Sequence, residues 1–362
     1  MPIKINSLII LHAYRTLGKR LITMSQLKLT HFLLYIGLLL PSLALSQQVE
    51  FSQFYAAPLH LNNAMAGISY GPRVAINYRN QWPELGDGPS GGFSTYAISY
   101  DQHIEKLHGG IGVMMTSDRI ANNRIVQNSI SAMYSFQIRA SKKFGIKLGI
   151  GGSYHHQYIN WYDLLFFDQI DPLTGFFQSI GVPNNTNEIP PGDFNKHFFN
   201  ANAGAVFFSN RYYGGIAAHN IVPVKDYFGD ETNRTRLALN GGAFYKLGGG
   251  YEKKFWLSPQ VLYVYQNNFN QISVGSLIGY DFFYTGIWMR HTMNNIDAVI
   301  SGVGFKKGIL RFGYTFDINL SPLKGTAGSH EFSFVFNFTK EESSLNPKSV
   351  QGFLSCPYYL DF

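Results

Sequence analysis

From residue 70 onward, apolar side chains alternate with small polar ones at a period of two residues. In residues 310–318 and 329–338, nearly every second position is Phe, Tyr, Leu or Ile. The clearest apolar row is formed by Ile130, Ala132, Tyr134, Phe136 and Ile138. A β-strand places successive side chains on opposite faces, so each stretch predicts a strand with one apolar and one polar face.

The polar rows contain Ser, Gly, Asn, Thr and Gln, and few of the Lys and Glu residues that cover a solvent-exposed sheet. Charged residues make up 14% of the chain and aromatic residues 16%, whereas a typical soluble domain is about 25% charged. Hydroxyls, amides and glycines suit a crowded barrel lumen, and the apolar row suits contact with lipid. The sequence therefore predicts an all-β fold, a transmembrane antiparallel β-barrel.

Fourteen alternating segments can be counted, and an even number is what a closed bacterial outer-membrane barrel requires. They are 72–80, 93–101, 109–116, 127–139, 144–155, 198–209, 211–218, 235–247, 254–266, 270–281, 283–290, 297–305, 308–318 and 329–339. Long connections alternate with tight turns, and the long ones are predicted at 81–92, 117–126, 156–197, 219–234 and 319–328. With the N-terminus on the periplasmic side, the long loops face the cell exterior.

A short apolar run over residues 32–45 follows Lys28 and ends in Ala44-Leu45-Ser46. A basic residue, a short apolar stretch and small residues at its end are typical of a secretory signal peptide. We therefore predict a signal peptide over residues 1–46, with an N-terminal membrane anchor as the alternative. Met24 would begin a signal peptide of normal length, so residues 1–23 are interpreted as an upstream extension.

Removal of the predicted signal peptide changes the charge of the chain. Residues 1–46 hold five Lys and Arg residues and no acid, so the net charge falls from +7 to +2 (7 − 5). A mature chain with so small a charge offers no basic face for nucleic acid. The predicted organisation is a plug or arm over 47–70, the barrel over 71–340 and a C-terminal tail over 341–362.

The segment before the first strand, residues 47–70, shows little alternation and combines aromatic residues with amides. It is predicted either to plug the lumen, its amides bonded to the lumen lining, or to form a periplasmic arm that binds a partner. We favour the plug. The residues expected to carry it are Phe51, Gln53, Phe54, Tyr55, Asn62 and Asn63.

Two groups of residues at the predicted outer end are candidate contacts for a partner. The rim group would either brace the barrel or contact cargo, because Trp and Arg often anchor interfaces, and in it His330 is expected to pair with Glu331. Its members are Arg79, Gln81, Trp82, Leu323, Lys324, His330 and Glu331. The aromatic residues of loop 156–197 would fold inward, face outward as a binding surface, or pack on one another. They are Trp161, Tyr162, Phe166, Phe167, Phe176 and Phe177.

The sequence gives little support for catalysis. His155 and His156 lie near Asp163 and Asp168 in sequence, but adjacent residues on a strand face opposite sides, and two ligands are too few for a zinc site. The G-x-S-x-G pattern occurs at 67–71 and 88–92, but each match precedes a predicted strand, whereas the nucleophile elbow of the α/β-class Ser hydrolases is a strand-to-helix turn. The single cysteine, Cys356, is interpreted as a small hydrophobic residue. We predict no enzymatic activity, no metal and no cofactor.

Several blocks of sequence carry a resemblance to a known family. They are 51–59 (FSQFYAAPL), 61–67 (LNNAMAG), 77–83 (NYRNQWP), 95–101 (TYAISYD), 320–325 (LSPLKG), 328–331 (GSHE) and the pair Cys356-Pro357 near the terminal Phe362. In this order, over residues 49–362, they resemble the PorP/SprF family of outer-membrane proteins from Bacteroidota. The chain departs from the family pattern at Thr326-Ala327 and in its longer tail.

The resemblance implies a barrel similar to the long-chain fatty acid transporter class and membership of the type IX secretion and gliding machinery. It implies an outer-membrane component that binds the C-terminal domain of secreted adhesin-type cargo and anchors it at the cell surface. Other type IX secretion components and the lipid bilayer are the further partners implied. The alternatives are a passive transporter of hydrophobic small molecules through the outer membrane and a scaffold for periplasmic motor proteins.

Overall fold

The structure, a computed structural model, describes most of the chain after residue 49. The described residues are 50–69, 71–85, 92–141, 144–164, 166–170, 184–190, 192–209, 211–225, 232–233, 235–247, 255–267, 269–292, 295–320 and 326–338. No helix within these ranges is long and apolar enough to cross a membrane. The predicted signal peptide and the predicted C-terminal tail lie outside the described residues.

Fourteen antiparallel strands form a closed barrel, which confirms the predicted fold. The strands are β1 (Arg73–Gln81), β2 (Phe93–Ile104), β3 (Gly109–Ile120), β4 (Ile125–Arg139), β5 (Phe144–Ile159), β6 (Asn195–Ser209), β7 (Tyr212–His219), β8 (Arg236–Ala243, continued by Tyr245–Leu247), β9 (Phe255–Gln266), β10 (Phe269–Tyr280), β11 (Phe283–Thr292), β12 (Asn295–Lys307), β13 (Leu310–Asn319) and β14 (Ser329–Asn337). Each strand pairs with its neighbours in sequence, and β14 pairs with β1 to close the cylinder.

The two faces of the wall follow the alternation seen in the sequence. On β13, Arg311, Thr315 and Asp317 are buried in the lumen, while on β14 Phe334 is exposed on the outer face. The closing pair of strands has Arg79 of β1 opposite Glu331 of β14. The polar row therefore lines the lumen and the apolar row faces outward, as predicted.

The two ends of the barrel differ in their connections. We call the end that carries the connection between β5 and β6, residues 160–194, the loop end, and the opposite end the turn end. The sequence predicted a long loop over 117–126, but this prediction is wrong. Strands β3 and β4 extend to Ile120 and Ile125, and a four-residue turn, Ala121–Arg124, joins them.

Three of the strands are longer than a bilayer requires. Strands β4 and β6 have 15 residues each and β5 has 16, which corresponds to about 40 Å along the barrel axis at a tilt of about 40°. The hydrocarbon core of a bilayer is about 30 Å thick. Their turn-end boundaries adjoin short connections, so the extra length projects at the loop end.

The segment before β1 lies inside the lumen. Two 3-10 turns, Phe54–Ala56 and Asn63–Met65, flank one turn of α-helix, Pro58–Leu61. Every described residue from 51 to 69 is buried, and the apolar side chains of the segment form three clusters with those of the lumen wall. The described residues 50–69 thus lie where the plug alternative places them.

Candidate functional site

An ionic cluster holds the first residues of the plug near the loop end of the lumen. The guanidinium of Arg79 contacts the carboxylates of Asp317 at 2.9 Å and Glu331 at 3.0 Å. Arg290 contacts the same Asp317 carboxylate at 2.9 Å. The Ser52 hydroxyl donates to Asp317 at 2.7 Å and accepts from Arg79. The plug is thereby bonded to three strands of the wall.

Glu331 also binds the plug backbone. Its two carboxylate oxygens accept the backbone N–H groups of Ser52 and Gln53, each at 2.8 Å. The side chain of Gln53 donates to the Glu331 carbonyl at 3.0 Å and accepts from the Ser333 hydroxyl at 2.6 Å. A buried carboxylate with an arginine partner and two N–H donors has the compensation that burial of charge requires.

A second set of polar contacts holds the other end of the plug, near the turn end. Arg73 forms a bidentate pair with Asp101, at 2.9 and 3.0 Å, and Asp101 accepts the backbone N–H of Gly67 at 2.8 Å. The buried ammonium of Lys147 donates to the carbonyls of Ala66 and Gly67, at 2.7 and 2.8 Å. The plug therefore runs from the loop end to the turn end and is bonded at both.

The middle of the plug packs against backbone that only glycine can expose. A Cβ at Gly149 would overlap the backbone of Ala64, and one at Gly204 would overlap the side chain of Asn62. Asn62 donates to the carbonyls of Ala205 and Ile216, at 3.2 and 3.1 Å. The glycines of the lumen row thus leave the space that the plug occupies.

Aromatic and histidine side chains complete the seal. The ring of Tyr55 stacks on Trp288 of β11 with 5.5 Å between centroids. His60, in the helical turn of the plug, meets Phe51 edge to face at 5.1 Å. Burial, with a contribution from the nearby Arg236, lowers the pKa of His60 to about 3. His60 is therefore neutral at physiological pH.

The structure separates the rim residues into lumen and outer-face positions. Arg79 and Glu331 are buried in the lumen and bonded to the plug, and in this position they are not accessible to a cargo at the rim. The expected pairing of His330 with Glu331 is wrong, because adjacent residues on β14 face opposite sides. His330 faces outward and its Nδ1 lies 2.9 Å from the Tyr314 hydroxyl.

The remaining rim residues lie at the end of β1. Gln81 is its last residue, and the ring of Trp82 meets Phe93 edge to face at 5.5 Å. The backbone of Trp82 is left-handed, with φ of 55°, and its N–H donates to the Gly328 carbonyl at 2.9 Å. Leu323 and Lys324 lie outside the described residues.

The described parts of the connection between β5 and β6 lie at the loop end and pack on themselves. Gln169 and Asn184 form a reciprocal amide pair, with bonds of 2.6 and 2.7 Å to each other's carbonyls. Asp168 accepts the backbone N–H of Asn187 and the hydroxyl of Thr186, and these bonds lower the pKa of Asp168. The two arms of the loop are tied together by these bonds.

This loop leaves large apolar side chains exposed. Tyr162 is 79% exposed, Phe167 89% and Ile189 85%. Trp161 is half-buried, with its ring 4.7 Å from that of Phe166. Phe176 and Phe177 lie outside the described residues. Of the three predicted alternatives, the described aromatic residues of the loop therefore show outward exposure and mutual packing, and not the inward fold.

His155 and His156 face opposite sides of the wall. His155 stacks on Phe198, and His156 stacks on His197. Within the described ranges, no group of three or more His, Cys, Asp or Glu side chains is placed to hold a metal ion.

Sequence reasoning missed the residues that hold the plug: Ser52, Arg73, Asp101, Lys147, Arg290 and Asp317. Apart from Ser52, which is uncharged and lies in the plug, their signal was charge in wall rows that hold mostly small polar residues. A charge on a lumen-facing row requires a buried counter-charge, and pairing them would have placed the plug.

These contacts define a membrane β-barrel whose lumen is filled by its own N-terminal segment and whose loop end presents exposed aromatic side chains. The chain belongs to the PorP/SprF family of type IX secretion system membrane proteins, whose family model matches residues 44–336.

Three solved structures of outer-membrane proteins are similar to the chain at low sequence identity. The toluene transporter TodX from P. putida is 9% identical, with 79% of this chain and 95% of that chain covered at a TM-score of 0.45. The toluene transporter TbuX from Ralstonia pickettii is 8% identical, with 78% and 94% covered at 0.43. The outer membrane protein Omp33 from Acinetobacter baumannii is 7% identical, with 75% and 100% covered at 0.40. No curated protein matches the chain.

Proposed function

We propose that this protein is a non-enzymatic anchor of the type IX secretion machinery in the outer membrane, which holds secreted adhesin-type cargo at its loop end. The family supports a place in that machinery. The observation that carries the proposal is the exposure of Tyr162, Phe167 and Ile189 on a loop tied by its own hydrogen bonds. Exposed aromatic side chains on a pre-organised loop suit the burial of an apolar partner surface.

The projecting wall supports the same surface. Strands β4, β5 and β6 carry the loop beyond the bilayer, where a folded cargo domain has access to it. Aromatic residues at the centre of a contact often contribute most of its free energy of binding. The proposed partner is the C-terminal domain of the cargo, with other type IX secretion components bound elsewhere on the barrel.

The seated plug favours anchoring over the alternative of passive transport of hydrophobic molecules. Such transport requires an apolar route along the lumen, and here the lumen is filled by residues 50–69 and lined by paired charges. An apolar solute would have to displace buried ion pairs, which is costly. The barrel therefore acts in this proposal through its outer surface and its loops.

The test is cargo retention by a loop variant in the native host. In the double variant Tyr162→Ser and Phe167→Ser, the fraction of adhesin on the cell surface and co-purified with the barrel should fall at least about tenfold. The matched control is Phe283→Ser, a phenylalanine 58% exposed at the turn end. Heat-modifiable migration on gels reports that each barrel is folded.

Unchanged retention in the folded double variant would refute this surface as the contact. Loss of retention in the Phe283→Ser control alone would favour the scaffold reading, in which periplasmic proteins bind the turn end.

A further inference from the structure

The outward face of β1 to β6 carries a groove near the loop end. It encloses about 640 Å³, within the usual range for a small-molecule site of about 300–1,000 Å³. Its sides are formed by large apolar side chains that stand on adjacent strands. They are Ile76, Tyr78, Tyr96, Ile98, Met115 and Ile130.

The groove exists because one cross-strand row has small residues at its centre. Tyr96, Ser117, Asn128, His156 and His197 stand opposite one another on β2 to β6. The large members of this row stand at its two ends, and Ser117 and Asn128 lie between them. A channel therefore opens between the tyrosine and the histidines and continues toward the aliphatic row below.

Polar groups lie where the groove approaches the loop end. The rings of His156 and His197 stack with 4.6 Å between centroids. The Tyr154 hydroxyl lies 2.7 Å from His197 Nδ1, and His156 Nε2 lies 3.0 Å from the Asn195 side-chain oxygen. These contacts fix the orientation of both imidazoles at the upper margin of the groove.

An exposed arginine stands at the other end of the row, beside its tyrosine. The guanidinium of Arg119 lies over the ring of Tyr96, 5.2 Å from its centroid. Among the described residues that line the groove, none is Asp or Glu. Imidazoles, an amide and an arginine at the height where the wall leaves the hydrocarbon core are complementary to an anionic headgroup.

We propose that this groove binds one membrane lipid with a phosphate-bearing anionic headgroup. One acyl chain lies in the groove between Ile98, Met115 and Ile130, and the phosphate lies at the loop-end margin beside Arg119. The exposed loop residues Tyr162, Phe167 and Ile189 do not line the groove, so lipid binding and cargo retention are tested with different variants.

The test is native mass spectrometry of the folded, delipidated barrel with phosphatidylglycerol and with a galactosyl diacylglycerol of the same chains. We expect one phosphatidylglycerol per barrel and a preference of about fivefold or more over the uncharged lipid. Ile130→Trp fills the groove and should abolish the bound lipid. Arg119→Gln should remove the preference and keep the weaker binding of the uncharged lipid.

The matched control is Ile287→Trp on β11, at an outward position 62% exposed on another part of the wall, which should leave binding unchanged. Excess inorganic phosphate should not displace the lipid, because the chain contributes to its binding. Equal binding in wild type and Ile130→Trp, absence of any preference, or complete displacement by phosphate would overturn the proposal. A protein–protein complex without bound lipid would overturn it as well, since a second protein would then occupy the groove.

Discussion

At the scale of single residues, the lumen is organised by charges that would be costly to bury alone. Asp317 receives both Arg79 and Arg290, and Glu331 receives Arg79 and two backbone N–H groups of the plug. A buried charge is tolerated when it is paired and hydrogen-bonded. The same side chains that satisfy one another therefore also hold the plug.

Replacement of Arg79 should loosen the plug and destabilise the barrel. Arg79→Ala leaves the buried carboxylate of Glu331 without its arginine, and loss of one partner of a buried pair costs about 3–5 kcal/mol. The denaturation midpoint of the folded barrel in guanidinium should fall accordingly. Arg119→Ala, at an exposed arginine, is the control and should leave the midpoint in place. An unchanged midpoint for Arg79→Ala would contradict this role.

The plug should become less firmly seated in acid because of His60. Burial lowers the pKa of His60 to about 3, against about 6.5 in the released segment. Between these values the released plug binds a proton that the seated plug does not. The free energy that holds the plug in the lumen is therefore largest above pH 6.5. It decreases as the pH falls toward 3, by up to about 1.4 kcal/mol per pH unit.

Hydrogen exchange of residues 54–65 measures this effect. Protection in the wild type should fall between pH 6.5 and 4 after correction for intrinsic exchange. His60→Gln is the control, because it cannot titrate and should show a shallower pH dependence. Identical pH profiles for the two proteins would show that His60 does not carry the effect.

At the scale of elements, the plug and the wall fit because strands β5 and β6 expose glycine backbone to it. Gly149 meets the backbone of Ala64, and Gly204 meets the side chain of Asn62. A side chain at Gly149 would occupy the volume of the Asn63–Met65 turn, and one at Gly204 would occupy that of Asn62, the N-cap of this turn. The glycines on the lumen face of β5 and β6 therefore leave the room that the plug requires.

A side chain at Gly149 should displace the middle of the plug. Gly149→Val places its branched side chain against Ala64, which cannot move without breaking the Asn62 bonds. Proteolysis of the folded barrel should then cleave within residues 54–65 faster, by about tenfold or more for a loss of about 1.4 kcal/mol. Gly152→Val, on the same strand with no atom within 4 Å, is the matched control. Equal cleavage rates in both variants would contradict the fit.

The elements were largely readable from the sequence, and their long-range contacts were not. Alternation located the strands because one face meets lipid and the other the lumen, as in β13 and β14. It failed at 117–126, where polar residues near the end of a strand resemble a loop. Arg79 and Glu331 are 252 residues apart, and pattern within one segment carries no information about such a pair.

At the scale of the whole molecule, the barrel has two separate regions. The lumen is filled from the loop end to the turn end by one segment with polar contacts at both of its ends. The loop end projects on β4 to β6 and exposes aromatic side chains. This division suits a protein that acts by holding a partner outside, because the wall and its plug form a rigid support.

Conductance in planar bilayers tests the central claim of a sealed lumen most directly. The wild-type barrel should insert without steady ion conductance. A variant that lacks residues 50–69, shown to be folded by heat-modifiable migration, should open steady channels. A steady open-pore conductance of the wild-type protein would contradict the account, because ions would then pass through a lumen that the plug should close.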